Sequence, residues 1–75
     1  MSFTIELGLR RSERSLERLL GLVGRRGYEV VGLEACLTAH GGELAVRMTL
    51  ASDRPMEPLL HHIRKLHEVL EIRSS

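Results

Sequence analysis

The sequence predicts an α+β domain in which two helices cover one face of a four-stranded antiparallel sheet. Three observations predict it. Apolar and polar residues alternate over residues 3–10 and again over 44–51, the two-residue period of a half-buried strand. Residues 16–23 and 56–66 instead carry apolar residues three and four apart, the stripe of a helix with one buried face. Read along the chain, the segments run strand, helix, strand, strand, helix, strand.

In the first strand Phe3, Ile5, Leu7 and Leu9 alternate with Thr4, Glu6, Gly8 and Arg10. The turn that follows, Arg10-Arg11-Ser12-Glu13-Arg14-Ser15, offers Ser12 as the N-cap of a helix expected from Glu13 to Arg26. Leu16, Leu19, Leu20 and Val23 form its stripe. Gly21 and Gly24 each cost about 1 kcal/mol against alanine. They mark either close approach of a neighbouring element or tolerated weak spots. Arg25 and Arg26 suit the negative end of the helix dipole and read as a solvated helix end, and Gly27 can take a left-handed cap.

A long second strand is expected from Tyr28 to Ala39. Tyr28 and Val30 share one parity; Val31, Leu33, Ala35, Leu37 and Ala39 share the other. A bulge near Val31-Gly32 would return all of them to one face. His40-Gly41-Gly42-Glu43 is a hairpin turn. In the third strand Leu44, Val46, Met48 and Leu50 face one way and Ala45, Arg47, Thr49 and Ala51 the other. Ser52 or Asp53 can cap a second helix, and Pro55 and Pro58 are compatible with it only inside the first turn. Met56, Leu59, Ile63 and Leu66 form its stripe, with Leu60 on the flank and Arg64 and Lys65 in water. Val69, Leu70 and Ile72 make a final short strand. The order is that of the ferredoxin-like βαββαβ sandwich.

Length makes this a single domain, residues 1–75, too small to bury much more than ~60% of its unfolded surface. Its single cysteine gives no internal disulfide and no zinc spacing, so self-association is the expected remedy. Eleven basic and ten acidic residues leave a formal charge of +1, which provides no footprint for nucleic acid. Phe3 and Tyr28 are the only aromatics, too few for a base-stacking platform. No apolar run approaches the ~18 residues of a membrane span, and residues 1–11 lack the pattern of a secretory signal, so a cytoplasmic setting is expected.

Little in the sequence carries chemistry. His61 and His62 would point about 100° apart on a helix, and His62 and His67 miss the four-residue spacing of a helical metal pair. His40 stands alone in a turn, and all four histidines read as surface or flank residues. Cys36 reads as a small buried hydrophobe, and Ser12 and Ser15 as capping residues. The face turned away from the helices would show Gly8, Cys36, Thr38, Ala45, Thr49 and Ala51, interrupted by Glu6, Glu34 and Arg47, which can pair across strands. That face is either an ordinary surface or one that lies against a partner or a second copy.

Four stretches in fixed order, Ser15-Leu16-Glu17-Arg18-Leu19-Leu20, Arg25-Arg26-Gly27-Tyr28-Glu29-Val30, residues 44–52 and Ile63-Arg64-Lys65-Leu66-His67-Glu68-Val69, resemble an ACT domain. More narrowly they resemble the short regulatory (small) subunit of acetolactate synthase, over nearly the whole chain. The resemblance implies a regulatory protein, not an enzyme, with no cofactor of its own. Its partner would be a thiamine-diphosphate-dependent catalytic subunit in branched-chain amino acid biosynthesis. The alternative is a free-standing amino-acid sensor of ACT type. A homodimer is expected through the sheet edge formed by Tyr28, Val30, Val31, Leu33, Ala35 and Leu37, because a long apolar edge rarely stays unpaired and a domain this small needs the extra burial; the resemblance implies the same pairing. It places any small amino acid at the turn holding Arg11, Ser12, Arg14 and Ser15. Amino-acid-responsive ACT domains usually carry glycine in that turn, where backbone N–H groups meet the ligand carboxylate; Arg14 stands there in this chain.

Overall fold

The computed structural model describes residues 1–74. The elements are β1 (Ser2–Arg10), α1 (Ser15–Arg25), β2 (Glu29–Leu37), β3 (Glu43–Ala51), α2 (Met56–Arg64) and β4 (Val69–Ser74), in the expected order. The strands form one antiparallel sheet ordered β2-β3-β1-β4. Both helices lie over the face carrying Ile5, Leu7 and Leu9 of β1 and Val46, Met48 and Leu50 of β3, all buried. Leu19, Leu22 and Val23 from α1 and Leu59, Leu60 and Ile63 from α2 close this core.

The parity break in β2 is a bulge. Val30 pairs with Leu50 and Gly32 with Thr49, so Val31 is the extra residue. Beyond it, Leu33, Ala35 and Leu37 oppose Met48, Val46 and Leu44, so they share the core-side face. The helices do not reach that far. Leu33 is 42% exposed and Leu37 49%, and the bulged Val31 is 55% exposed.

Several boundaries differ from expectation. α1 starts at Ser15, not Glu13, and Ser12 does not cap it: the N-cap is Arg14, with no side-chain cap. Ser12 acts through its backbone carbonyl, which accepts from the Ser15 N–H at 3.2 Å. Ser52 and Asp53 do not cap α2, whose N-cap is Pro55. The Ser52 hydroxyl accepts from the Arg54 N–H at 3.0 Å and donates to the Gly27 carbonyl at 3.3 Å. Pro58 falls in the first turn of α2, where a missing N–H removes no helical bond. Gly21 and Gly24 are not sites of close approach: an added Cβ would meet only the Arg25 guanidinium at 3.3 Å at Gly21, and nothing within 4 Å at Gly24. Cys36 is exposed, because its stretch of β2 lies on the open side of an edge strand. Tyr28 precedes β2 and is buried, so it is core and not edge. Its hydroxyl donates to the Pro55 carbonyl at 2.6 Å, and its ring meets Phe3 edge-on at 6.1 Å.

On the open face the register aligns Glu34, Arg47, Glu6 and Arg73 in one row across all four strands, with alternating sign. Beside it, Cys36, Ala45 and Gly8 form the floor of a shallow trough of about 320 Å³.

Candidate functional site

The residues singled out for an amino-acid ligand sit where three loops meet at one end of the domain. Arg10 donates its N–H to the Glu68 carbonyl at 2.6 Å, which ties the β1–α1 turn to the α2–β4 turn. The Arg11 N–H reaches the Gly42 carbonyl at 3.2 Å, and the Arg11 guanidinium reaches the Gly41 carbonyl at 3.3 Å. The β2–β3 hairpin is thereby tied in as well.

Arg14 has φ 63° and ψ 18° and is the one non-glycine residue at positive φ among the described residues. The left-handed conformation costs an L-residue about 1–2 kcal/mol. Arg14 therefore occupies a backbone state suited to glycine, at the position where the family resemblance leads one to look for it. Its carbonyl accepts from the Arg18 N–H at 2.9 Å and starts α1.

Arg11, Ser12 and Arg14 are exposed, whereas Ser15 is buried at the helix start. The four share one turn around a helix N-terminus that no side chain caps. Such an N-terminus carries a partial positive charge of about half a unit, which suits a carboxylate. The cavity nearest this turn in sequence is lined by Arg10, Thr38, His40, Gly42, Glu43 and Leu70.

Sequence reasoning missed two residues at this end. Glu68 is buried, its side chain only 4% exposed, and its carboxylate accepts a hydrogen bond from the Arg18 guanidinium. That bond, its own backbone N–H, His67 and the Arg18 charge hold the carboxyl below the ordinary carboxylate range, against the opposing effect of burial. Fifty residues separate the pair, and no local pattern marks it.

The opposite end is built differently. α1 ends in a Schellman arrangement: Gly27 N–H bonds to the Gly24 carbonyl at 3.1 Å and Tyr28 N–H to the Val23 carbonyl at 3.3 Å. Gly27 has φ 88°, as this ending requires. Between this turn, the β3–α2 loop and α2 lies a cavity of about 450 Å³.

A family model for the ACT domain matches residues 11–72. The chain belongs to the ACT domain family. Among curated proteins, this ACT domain is 25% identical over 72 residues to the acetolactate synthase isozyme 2 small subunit of Escherichia coli K12. The match covers 96% of this chain and 83% of that one. The Shigella flexneri protein of the same name matches to the same extent. Among solved structures, the ACT domain from GTP pyrophosphokinase of Chlorobium tepidum superposes with a TM-score of 0.83 at 10% identity, covering 100% of this chain and 97% of that one. Formyltetrahydrofolate deformylase from Burkholderia mallei gives 0.77 at 15% identity, covering all of this chain and 27% of that one. At such identities the superpositions establish the fold. No helix among the described residues is long and apolar enough to cross a membrane.

Proposed function

We propose that this ACT domain is a regulatory small subunit that binds and activates the catalytic subunit of acetolactate synthase. The observation that carries this reading is the span of its likeness to the Escherichia coli small subunit, which runs along nearly the whole chain and is not confined to one motif. Catalysis and the thiamine diphosphate belong, in this reading, to the partner chain in the cytoplasm.

Two copies of the regulatory chain would pair side by side through β2 and continue the sheet. The reading is supported by the place of β2 at the sheet edge and by the exposure of Val31, Leu33 and Leu37 along it. An edge of this length and apolarity is a template for strand pairing. Any amino-acid effector would meet the uncapped start of α1, and the long side chain of Arg14 there argues for weak or absent inhibition by valine.

The purified chain, added to its candidate catalytic subunit, should raise acetolactate output. No rise across an excess of about tenfold, where a complex of ordinary affinity would form, favours the free-standing sensor instead. Sedimentation should give a dimer mass for the chain and a monomer mass for Leu33→Glu.

A further inference from the structure

We propose that Arg26, Arg54 and His62 form a binding site for a phosphoryl group in the cavity between the end of α1 and the start of α2. The cavity is lined by Arg25, Arg26, Arg54 and His62 together with backbone and apolar atoms, and no carboxylate lines it. None of the three guanidinium groups has a carboxylate within 4 Å among the described residues. The two helix termini here contribute partial charges of opposite sign, about −0.5 from α1 and +0.5 from α2, which cancel. Arg26 and Arg54 therefore bring two unpaired formal positive charges to a cavity of about 450 Å³ whose lining holds no carboxylate, while the Arg25 guanidinium lies back along α1 beside Gly21.

The cationic side chains are placed by the fold and not merely adjacent in sequence. Gly27 leaves room for Arg54: a Cβ there would come within 2.8 Å of the Arg54 Nε. The Ser52 hydroxyl holds the loop that carries Arg54, through the Arg54 N–H on one side and the Gly27 carbonyl on the other. His62 comes from α2 and faces Arg26, Lys65 and His61; burial first, and then these charges, hold its imidazole below the usual histidine range. A bound dianion would reverse that bias.

The donor set selects the ligand class. Guanidinium groups offer planar forks of N–H donors that match phosphate oxygens, and several of them around one point suit a tetrahedral dianion better than a single carboxylate. A cavity of this volume admits a phosphate monoester as readily as inorganic phosphate. The site lies at the far end of α1 from the turn around Arg14, so it stands or falls apart from the regulatory reading.

The test is an NMR titration of the full chain with inorganic phosphate at constant ionic strength, read at the Gly27 and Arg54 amides and the His62 ring. The expected result is saturating shifts and a higher His62 titration midpoint in phosphate. Arg26→Gln and Arg54→Gln should each weaken binding by roughly tenfold or more, as expected for a charge-assisted contact. Arg73→Gln, on the open sheet face, should leave it unchanged. All three arginines are exposed, so the variants are expected to fold, and thermal melting checks this. Parallel titrations with glycerol phosphate distinguish the source: tighter binding indicates a phosphorylated metabolite, and equal binding indicates free phosphate. Shifts that do not saturate, shifts unchanged in both arginine variants, or malonate binding as tight as phosphate would overturn the proposal.

Discussion

The two ends of this ACT domain use arginine in opposite ways. At the end where β1 enters α1, Arg18 is spent on the buried carboxylate of Glu68, and Arg11 on the Gly41 carbonyl. At the end where α1 meets α2, Arg25, Arg26 and Arg54 have no carboxylate within reach among the described residues. The same residue type is thus a clamp in one place and an unoccupied donor in the other. What decides is whether the fold brings an acceptor to it, buried for Arg18 and exposed for Arg11. A buried carboxylate needs its cation, whereas an exposed guanidinium is satisfied by water until a ligand displaces that water.

That difference can be tested first by truncation. Arg18→Ala strands a buried carboxylate and is expected to lower the thermal midpoint by several degrees, the largest effect of this set. Arg54→Gln, at the other end, should change stability by no more than about 0.5 kcal/mol. Equal losses in the two variants would abolish the contrast.

Acid should separate the ends next. The folded-state pKa of Glu68 is depressed, so its contribution is present above the ordinary value of 4.5 and is lost as pH falls through the folded value. The folded-state pKa of His62 is also depressed, from 6.5. Its unfolded form therefore takes up a proton first, and stability begins to decline as pH falls below 6.5. Urea melts between pH 7 and pH 3 should show a mild loss below 6.5 that His62→Gln removes, and a steeper one below 4.5 that Glu68→Gln removes. A single transition insensitive to both variants would contradict this order.

The smallest expected effect concerns Arg14. Glycine there relieves the left-handed strain but adds freedom to the unfolded chain, for a net gain of about 0.5–1 kcal/mol. Calorimetry with valine extends the test. If backbone N–H groups are the missing partner, Arg14→Gly should gain micromolar binding. If the wild type already binds valine at micromolar affinity and Arg14→Ala abolishes it, Arg14 itself grips the ligand, and weak valine inhibition is the wrong expectation.

Periodicity by itself settled the order of the elements and most of the core. Ile5, Leu7, Leu9, Leu19, Val23, Val46, Met48, Leu50, Leu59 and Ile63 are buried where their spacing places them, because each pattern reports a local geometry that one apolar face must satisfy. The bulge at Val31 was legible for the same reason: a parity break has only one cheap repair. The turn around Arg14 was legible as a position, but not as a left-handed residue without a side-chain cap. Only the tertiary structure decided the rest. It left Cys36 exposed on the open face of an edge strand and turned Tyr28 inward, where its hydroxyl meets the Pro55 carbonyl and its ring meets Phe3. It joined Arg18 to Glu68 across fifty residues and gathered Arg26, Arg54 and His62 from three segments. Charge pairing has no sequence period; it follows from which loops the packed core brings to the same end.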